Sequence, residues 1–262
     1  MKKITLKEQR ANELYTTSLL LHGNEKLLDY DNPETGEMIR YAQFNTRAVK
    51  DCPFATDGCR AVCYATKGNH IFQSVQDSRE RSYNESKKSD FSDRIIYTIN
   101  VEKTSRRYAG KTMTIRIHES GDFYSMQYLL KWVTIWAYFE HADGIKFVFY
   151  TKSFRFFLKL NDEQKALINR MIKSGRLAMN LSTDDTMSPE QRLAYLEMTT
   201  TFPGANTYYC TEDIDRVKYD VKCDCADCGK CGTCNKTTGK MTVVKIHSAS
   251  KNDMETYRKN IK

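Results

Sequence analysis

The chain has 262 residues, of which 40% are hydrophobic and 28% are charged, and this supplies enough apolar material for the core of one large domain. Such a composition excludes a disordered tail and a mini-protein. The net charge of +8 is compatible with an acidic partner such as nucleic acid, but no residue pattern ties the charge to one. Nine cysteines are present; an odd number without a secretory leader suits a reducing compartment and indicates metal ligands rather than a disulfide framework.

The N-terminal segment starts with basic residues, but its apolar run at residues 19–21 is too short for the core of a signal peptide. The sequence also contains no stretch of 18 apolar residues that would predict a transmembrane helix. We therefore expect a protein that does not contact a membrane and that works in the cytoplasm.

Short apolar runs alternate with segments of helical periodicity along the chain. A helix opens near Ser125 and buries Tyr128, Leu129, Trp132, Val133 and Trp136. A second helix starts near Asp162 and stops at Gly175, and a third opens at Ser188-Pro189, where Ser is a good N-cap and Pro a good first helical residue. Two more helical segments cover residues 75–86 and 91–107. The predicted strands are residues 41–48, 112–118, 145–150, 177–181, 206–210 and 241–247.

This alternation predicts an α/β fold with a parallel sheet, because each crossover helix returns the next strand to the same direction. We expect a partial (β/α) TIM-like barrel of about six parallel strands, with an open doubly wound sheet as the alternative. No linker divides the chain, so residues 1–262 are predicted to form one domain, within which residues 210–240 form a cysteine-rich, metal-binding C-terminal lobe.

Parallel α/β folds carry their chemistry at the carboxyl ends of the strands. This rule gathers a set of residues that should converge on one edge of the sheet: Cys52, Cys59, Cys63, His118, Glu119, Asp122, Tyr150, Thr151, Lys152, Asn180, Ser182, Asp184, Cys210, Glu212 and His247.

The first cysteine group is Cys52, Cys59 and Cys63, a C-x6-C-x3-C spacing on a loop that also contains Pro53 and Gly58. Three thiolates on one loop leave one coordination position unfilled, which suits a 4Fe–4S cluster or a zinc ion with a fourth ligand from elsewhere. Burial of the three cysteines as small hydrophobic residues is the alternative, but the polar neighbours do not resemble a core face.

The second group contains a C-x2-C-x2-C-x2-C run close to the spacing of ferredoxin clusters. Zinc is the alternative, because paired C-x2-C knuckles also form tetrahedral sites. The sequence does not decide how nine cysteines divide among the sites, nor whether a cysteine of this group completes the first site. The members of the group are Cys223, Cys225, Cys228, Cys231 and Cys234, with Cys210 upstream.

Three segments, DCPFATDGCRAVCYA, IRIHESGDFYS and FYTKS, resemble the phage-encoded gene product 88 family, whose members look like distant relatives of radical S-adenosylmethionine barrels. The resemblance extends from about residue 40 to residue 235. It implies a partial (β/α) barrel and an iron–sulfur cluster held by Cys52, Cys59 and Cys63, in the cytoplasm of a host cell. The spacing differs from the C-x3-C-x2-C of ordinary radical enzymes, and no Gly-Gly-Glu segment follows the second strand, so S-adenosylmethionine binding stays an open question.

The polar strand-end residues are candidates for catalysis or ligand binding. Arg116, His118, Glu119 and Asp122 could hold a substrate or tune a cluster through hydrogen bonds, although Arg116 and Asp122 could equally form a structural ion pair. His118 is a candidate acid/base or metal ligand, and Lys152 is a candidate anion-binding group. A polar floor for a cofactor is predicted from Asn180, Ser182 and Asp184.

Two functional hypotheses follow from these patterns. The first is an iron–sulfur protein with redox or radical chemistry on an unknown substrate, a small molecule or a macromolecule. The second is a non-enzymatic binding module that contacts nucleic acid or a host protein. A zinc ion or a cluster would stabilise its fold. The sequence leaves open whether the chain is an enzyme.

Overall fold

The computed structural model describes residues 18–22, 29–31, 36–223, 234, 236, 238–246 and 249–261. The strands are β1 (Leu21–His22), β2 (Tyr30–Asp31), β3 (Met38–Phe44), β4 (Thr112–Ile117), β5 (Ile145–Thr151), β6 (Leu177–Asp184), β7 (Asn206–Thr211), β8 (Val221–Cys223) and β9 (Met241–Lys245). The helices are α1 (Asp57–Ala61), α2 (Gln73–Lys87), α3 (Phe91–Thr104), α4 (Met126–Tyr138), α5 (Phe154–Leu158), α6 (Asp162–Lys173), α7 (Pro189–Thr201) and α8 (Lys251–Lys259).

The strands form one sheet in the order β1-β3-β4-β5-β6-β7-β9-β8, with β2 also paired to β3. Every pair from β3 to β8 is parallel, whereas β1 and β2 run antiparallel to β3. The prediction of a mostly parallel α/β sheet is confirmed, and each of the six predicted strands is present. The short β8 adds a seventh parallel strand within the cysteine-rich segment.

The first predicted strand is shifted: β3 ends at Phe44, not at residue 48. Beyond this point the Thr46 amide donates to the Ser120 carbonyl at 3.0 Å, and the Asp51 amide donates to the Arg47 carbonyl at 3.1 Å. The chain therefore leaves the sheet to start the cysteine loop, which an alternating pattern of residues does not reveal.

Neighbouring strands follow the order of the chain from β3 to β7 and then to β9. The reversal that a doubly wound sheet has at its switch point does not occur between β3 and β7, whereas β8 lies outside β9. Parallel crossovers share one hand, so this hand places the helices that connect β3 to β7 on the same face of the sheet. Among the described strands, hydrogen bonding forms an open sheet with β1 and β8 at its edges.

The two faces of the sheet differ in chemistry because successive side chains along a strand alternate. One face is apolar and packs against Trp132 and Trp136 of α4 in the main core; its central members are Met113, Ile115, Ile117, Phe147, Phe149, Met179 and Leu181. The opposite face is called the polar face below; its central members are Arg116, Tyr150, Asn180, Asn206 and Tyr208.

The predicted helix signals are confirmed. Ser125 caps α4 by accepting from the Tyr128 amide, and Ser188 forms a capping box at the start of α7, with Pro189 as its first residue. The helix predicted from Asp162 ends at Lys173 with Ser174 as its C-cap, so Gly175 directly follows the helix as predicted. Among the described residues, none of the helices combines the length and apolar character that crossing a membrane requires.

Candidate functional site

The loop that follows β3 brings the first three cysteines together. Cys59 lies in α1, a helix that starts because Thr56 accepts a hydrogen bond from the Cys59 amide at 3.0 Å. The Cys52 carbonyl accepts from the Arg60 guanidinium at 3.0 Å, which ties the start of the loop to this helix. All three cysteines are half-buried and free of disulfides.

The thiols of the loop influence one another. Burial raises the pKa of the Cys52 thiol, and Asp122 and Cys59 raise this pKa further. Burial also raises the pKa of Cys59 and of Cys63, and each of these two values responds to other charges around the loop. Without a positive ion these thiols therefore stay protonated, and an electropositive centre among them would favour the thiolate form.

The end of β6 anchors this cysteine loop. The buried Asp184 carboxylate accepts from the Thr56 hydroxyl at 2.8 Å and from the Thr186 hydroxyl at 2.6 Å. The Gly58 amide donates to the Thr186 hydroxyl at 3.2 Å, and a Cβ atom at Gly58 would lie 2.5 Å from the Thr186 side chain. A close backbone approach thus fixes α1 against the carboxyl end of the sheet.

Lys152 is buried at the end of β5, within this same cluster. Its ammonium lies 3.1 Å from the Asp184 carboxylate and donates to the Ser182 hydroxyl at 2.9 Å. Burial alone would lower the pKa of Lys152, but Asp184 and the thiols of Cys59 and Cys210 raise it above its ordinary value. The positive charge of Lys152 therefore lies near the thiols of Cys59 and Cys210, which belong to two different strand ends.

Asp122 joins the end of β5 to the cysteine loop. Its carboxylate accepts from the Thr151 hydroxyl at 2.7 Å and from the Lys152 amide at 2.8 Å, and its own amide donates to the Asp51 carbonyl at 2.9 Å. Burial raises the pKa of Asp122 above its ordinary range. The ion pair between Arg116 and Asp122 that the sequence suggested is not formed, because the Asp122 carboxylate instead accepts hydrogen bonds from Thr151 and Lys152.

His118 lies in the aromatic core. Its Nε2 atom is 2.8 Å from the Tyr128 hydroxyl, and its ring packs edge-on against Phe123 at 4.8 Å between centroids. Burial lowers the pKa of His118 to about 3, so the ring is neutral at ordinary pH. These contacts place His118 in the core next to the end of β4, where its role is structural.

Glu119 links β4 to the residue that follows Cys63. The Tyr64 hydroxyl donates to the Glu119 carbonyl, and the Glu119 amide donates to the Asn45 side chain at 2.7 Å. The ends of β3 and β4 are thereby attached to the end of the cysteine loop.

Asn180 contacts the C-terminal lobe. Its Nδ2 atom donates to the Cys234 carbonyl at 2.9 Å and to the Phe149 carbonyl at 3.1 Å. The neighbouring Asn206 donates to the Lys236 carbonyl at 2.8 Å and to the Asn180 side chain at 3.2 Å. Cys234 and Lys236 therefore lie against the polar face, where the side-chain amides of Asn180 and Asn206 hold their carbonyls.

Strand register places Cys210 and Cys223 level with Asp184, near the carboxyl ends of the strands. Asp184 is aligned with Cys210, and both Cys210 and Cys223 are aligned with Val244. Since neighbouring strands lie about 4.8 Å apart, the two cysteines are separated by roughly 10 Å on one face. Cys223 also lines a cleft of about 380 Å³. Cys225, Cys228, Cys231 and His247 lie outside the described residues.

Within the part of the chain that the structure describes, no three His, Cys, Asp or Glu side chains stand close enough to share one metal ion. A cubane cluster has a different requirement, because each thiolate binds its own iron atom. The strand-end rule nevertheless succeeds for Cys59, Lys152 and Asp184, which meet in one cluster.

Several residues of the site carry no motif of their own. Thr56 and Thr186 hold the loop through side-chain hydrogen bonds, and Asp51 receives a bond from the Asp122 amide. Of these, the N-cap pattern at Thr56, directly before Asp57 and Gly58, is a readable signal for a short helix. The contact with Thr186 depends on the sheet and has no sequence signal.

No curated protein and no solved structure matches the chain. A family model described as gene product 88 matches residues 18–237, which includes β3 to β8, the cysteine loop and Lys152. Because the match covers most of the chain, the protein belongs to the gene product 88 family of phage proteins.

Proposed function

We propose that the protein is an iron–sulfur protein in which Cys52, Cys59 and Cys63 hold a 4Fe–4S cluster at the carboxyl ends of the parallel strands. The observation that carries the proposal is the set of three half-buried thiols on one anchored loop, close enough to shift one another's pKa. When bound, such a cluster would supply electrons to a substrate at the iron that no cysteine of the loop binds.

The surroundings of the loop fit this use. The charged Lys152 ammonium beside Cys59 offsets the negative charge that thiolates and sulfides would bring. Asp184 keeps Lys152 in place, and its bond to Thr56 fixes the loop. We also propose that the sheet curls into a partial barrel similar to that of radical S-adenosylmethionine enzymes. The strand order from β3 to β7, which follows the order of the chain, supports this shape.

Anaerobic purification, followed by iron and sulfide analysis and electron paramagnetic resonance of the reduced protein, tests the proposal. We expect about four iron and four sulfide atoms per chain for one 4Fe–4S cluster, and about eight of each if the second cysteine group holds another. A colourless protein with stoichiometric zinc and no sulfide would overturn it.

Two multiple variants locate the cluster. Replacing Cys52, Cys59 and Cys63 by Ala should remove one full cluster from the iron count. The matched control replaces Cys225, Cys228, Cys231 and Cys234 by Ala and should leave the cluster of the first loop in place. Retention of all iron in the first variant would contradict the assignment. Calorimetry with S-adenosylmethionine then tests the radical-enzyme version separately.

A further inference from the structure

Arg116 is a half-buried arginine on the polar face of β4, in register with Gln43 and Val148. Its Nε atom is buried and has no hydrogen-bond partner among the described residues. Within this part of the chain its guanidinium also forms no ion pair. A buried guanidinium keeps its charge, so donors that remain unused carry a desolvation cost.

Other enclosed arginines in the chain have partners. Arg94 forms an ion pair with Glu85, and Arg47 lies 2.7 Å from the Asp51 carboxylate. Among the described carboxylates, Glu119 influences Arg116 electrostatically without forming an ion pair with it. Arg116 therefore differs from these arginines in presenting a charged fork that no described side chain occupies.

Tyrosines frame this guanidinium. Arg116 lies over the Tyr150 ring at 5.3 Å from its centroid, and Tyr208 packs edge-on against Tyr150 at 4.9 Å. Burial raises the pKa of Tyr64 to about 12 while the positive charge of Arg116 acts in the opposite direction, which places Tyr64 near the guanidinium as well. A guanidinium set among tyrosine rings suits the recognition of a small oxyanion.

The group formed by Arg116 and these tyrosines adjoins the cysteine loop, because Tyr64 directly follows Cys63 and donates to the Glu119 carbonyl just beyond the end of β4. Arg116 is two residues before His118, which directly follows β4. A ligand held at Arg116 would thus lie against the polar face, beside the strand ends that carry the thiols.

We propose that Arg116, framed by Tyr64, Tyr150 and Tyr208, binds an oxyanion group, carboxylate or phosphate, of a small ligand. The identification of this ligand as the substrate rests on the proposed iron–sulfur function, whereas the anion site itself does not. Bidentate hydrogen bonds from the guanidinium account for the strength of the contact.

Isothermal titration calorimetry of the anaerobically purified full chain tests the site. The probes are inorganic phosphate and, separately, glutarate, at an ionic strength held constant with chloride. We expect saturable binding of at least one probe, and the stronger of the two identifies the oxyanion. Arg116→Gln should weaken that binding at least tenfold, and Arg116→Lys should weaken it less because it keeps the charge. Arg155→Gln, at an exposed position of α5, changes the net charge equally and should leave the affinity unchanged.

Absence of saturable binding in the parent chain would overturn the proposal, as would equal affinities in the parent and Arg116→Gln. If Arg116→Gln does not fold, the rise in melting temperature with each anion is compared between the parent and Arg116→Lys, and an equal rise in the two counts against the site. Anion binding that depends on Arg116 in a chain without iron and sulfide would refute the cluster and leave the site standing. A cluster-loaded chain that binds neither anion would refute the site alone.

Discussion

Two residues with side chains hold a left-handed backbone next to the site, Val49 with φ 63° and His118 with φ 66°. Val49 precedes Cys52, whose amide donates to the Val49 carbonyl at 3.2 Å. His118 directly follows β4 and starts the turn toward Asp122. A β-branched residue in this region is strained by about 1–3 kcal/mol. This strain is localised where the chain turns out of the sheet toward the cysteines.

Replacing Val49 by Gly should remove this strain. We expect the free energy of unfolding to rise by about 1 kcal/mol, because Gly adopts a positive φ without a steric cost while the loss of a half-buried side chain offsets part of the gain. Urea denaturation of the metal-free chain measures the change. Val75→Gly, within the regular helix α2, is the control and should lower stability; a similar loss in Val49→Gly would contradict the argument.

His118 should make stability depend on pH. Its folded-state pKa is about 3, below the ordinary value near 6.5, so the unfolded chain binds the extra proton between these two values. Stability is therefore fully present above about pH 6.5 and is lost as the pH falls toward 3, by about 1.4 kcal/mol per pH unit for this group.

The variant His118→Asn removes this titration while keeping a residue that tolerates a positive φ. The difference in unfolding free energy between the parent and His118→Asn should shrink as the pH is lowered from 6 to 4.5. Replacing His141, whose side chain is 90% exposed, by Gln should leave the pH curve of the parent unchanged. A parent–variant difference that is constant with pH would rule out the buried neutral histidine.

At the scale of elements, the carboxyl end of β6 is the junction on which the site depends. The Asp184 carboxylate forms an ion pair with Lys152 at the end of β5. It also accepts hydrogen bonds from Thr56 at the start of α1 and from Thr186 in the turn that leads to α7. The C-terminal helix α8 adds to this junction, because the Tyr257 hydroxyl donates to Asp185 at 3.0 Å. Three segments far apart in the chain, the end of β5, the start of α1 and helix α8, are thereby held together by this one turn.

Asp184→Asn should break the buried ion pair and leave the Lys152 ammonium without a counterion. We expect a loss of about 3 kcal/mol in unfolding free energy, since removing one partner of a buried pair leaves an uncompensated charge. Chemical denaturation measures the loss. The double variant Lys152→Met/Asp184→Asn should recover part of it, and Asp143→Asn, at an exposed pair with Arg176, should cause no measurable change. No recovery in the double variant would argue against the ion pair as the cause.

At the scale of the whole molecule, Cys234 and Lys236 of the cysteine-rich segment lie against the polar face of the sheet. Asn206 accepts from the Thr238 amide at 3.0 Å and from the Gly239 amide at 3.1 Å, and it donates to the Lys236 carbonyl. A buried asparagine therefore holds Lys236, Thr238 and Gly239 against β7.

Asn206→Ala should release this segment. Loss of the buried amide leaves several backbone groups unsatisfied, and we expect a decrease of about 2–3 kcal/mol in unfolding free energy. Alkylation followed by mass spectrometry should show that Cys234 is labelled faster in Asn206→Ala than in the parent. The labelling rate of Cys59 should change less. Asn100→Ala, which removes an exposed donor to Tyr138, is the control. Equal labelling rates of Cys234 in Asn206→Ala and in the parent would contradict the role of Asn206.

Local patterns were sufficient for the elements and for the main members of the cluster. Period-two apolar runs and capping residues predicted the six strands and the helix starts at Ser125 and Ser188, and the strand-end rule brought Lys152 and Asp184 together. The interior position of His118 was not predictable, because its partners Tyr128 and Phe123 meet it only through the packing of α4.

By itself the sequence determined the parallel α/β class, the cysteine loop and the family, because these depend on spacings within short segments of the chain. Only the tertiary structure decided the order of the strands, the Asp184 junction and the unpaired state of Arg116 among the described residues. The physical reason is that hydrogen bonds and ion pairs between residues such as Thr56 and Asp184, 128 positions apart, form only after the sheet has brought distant segments together.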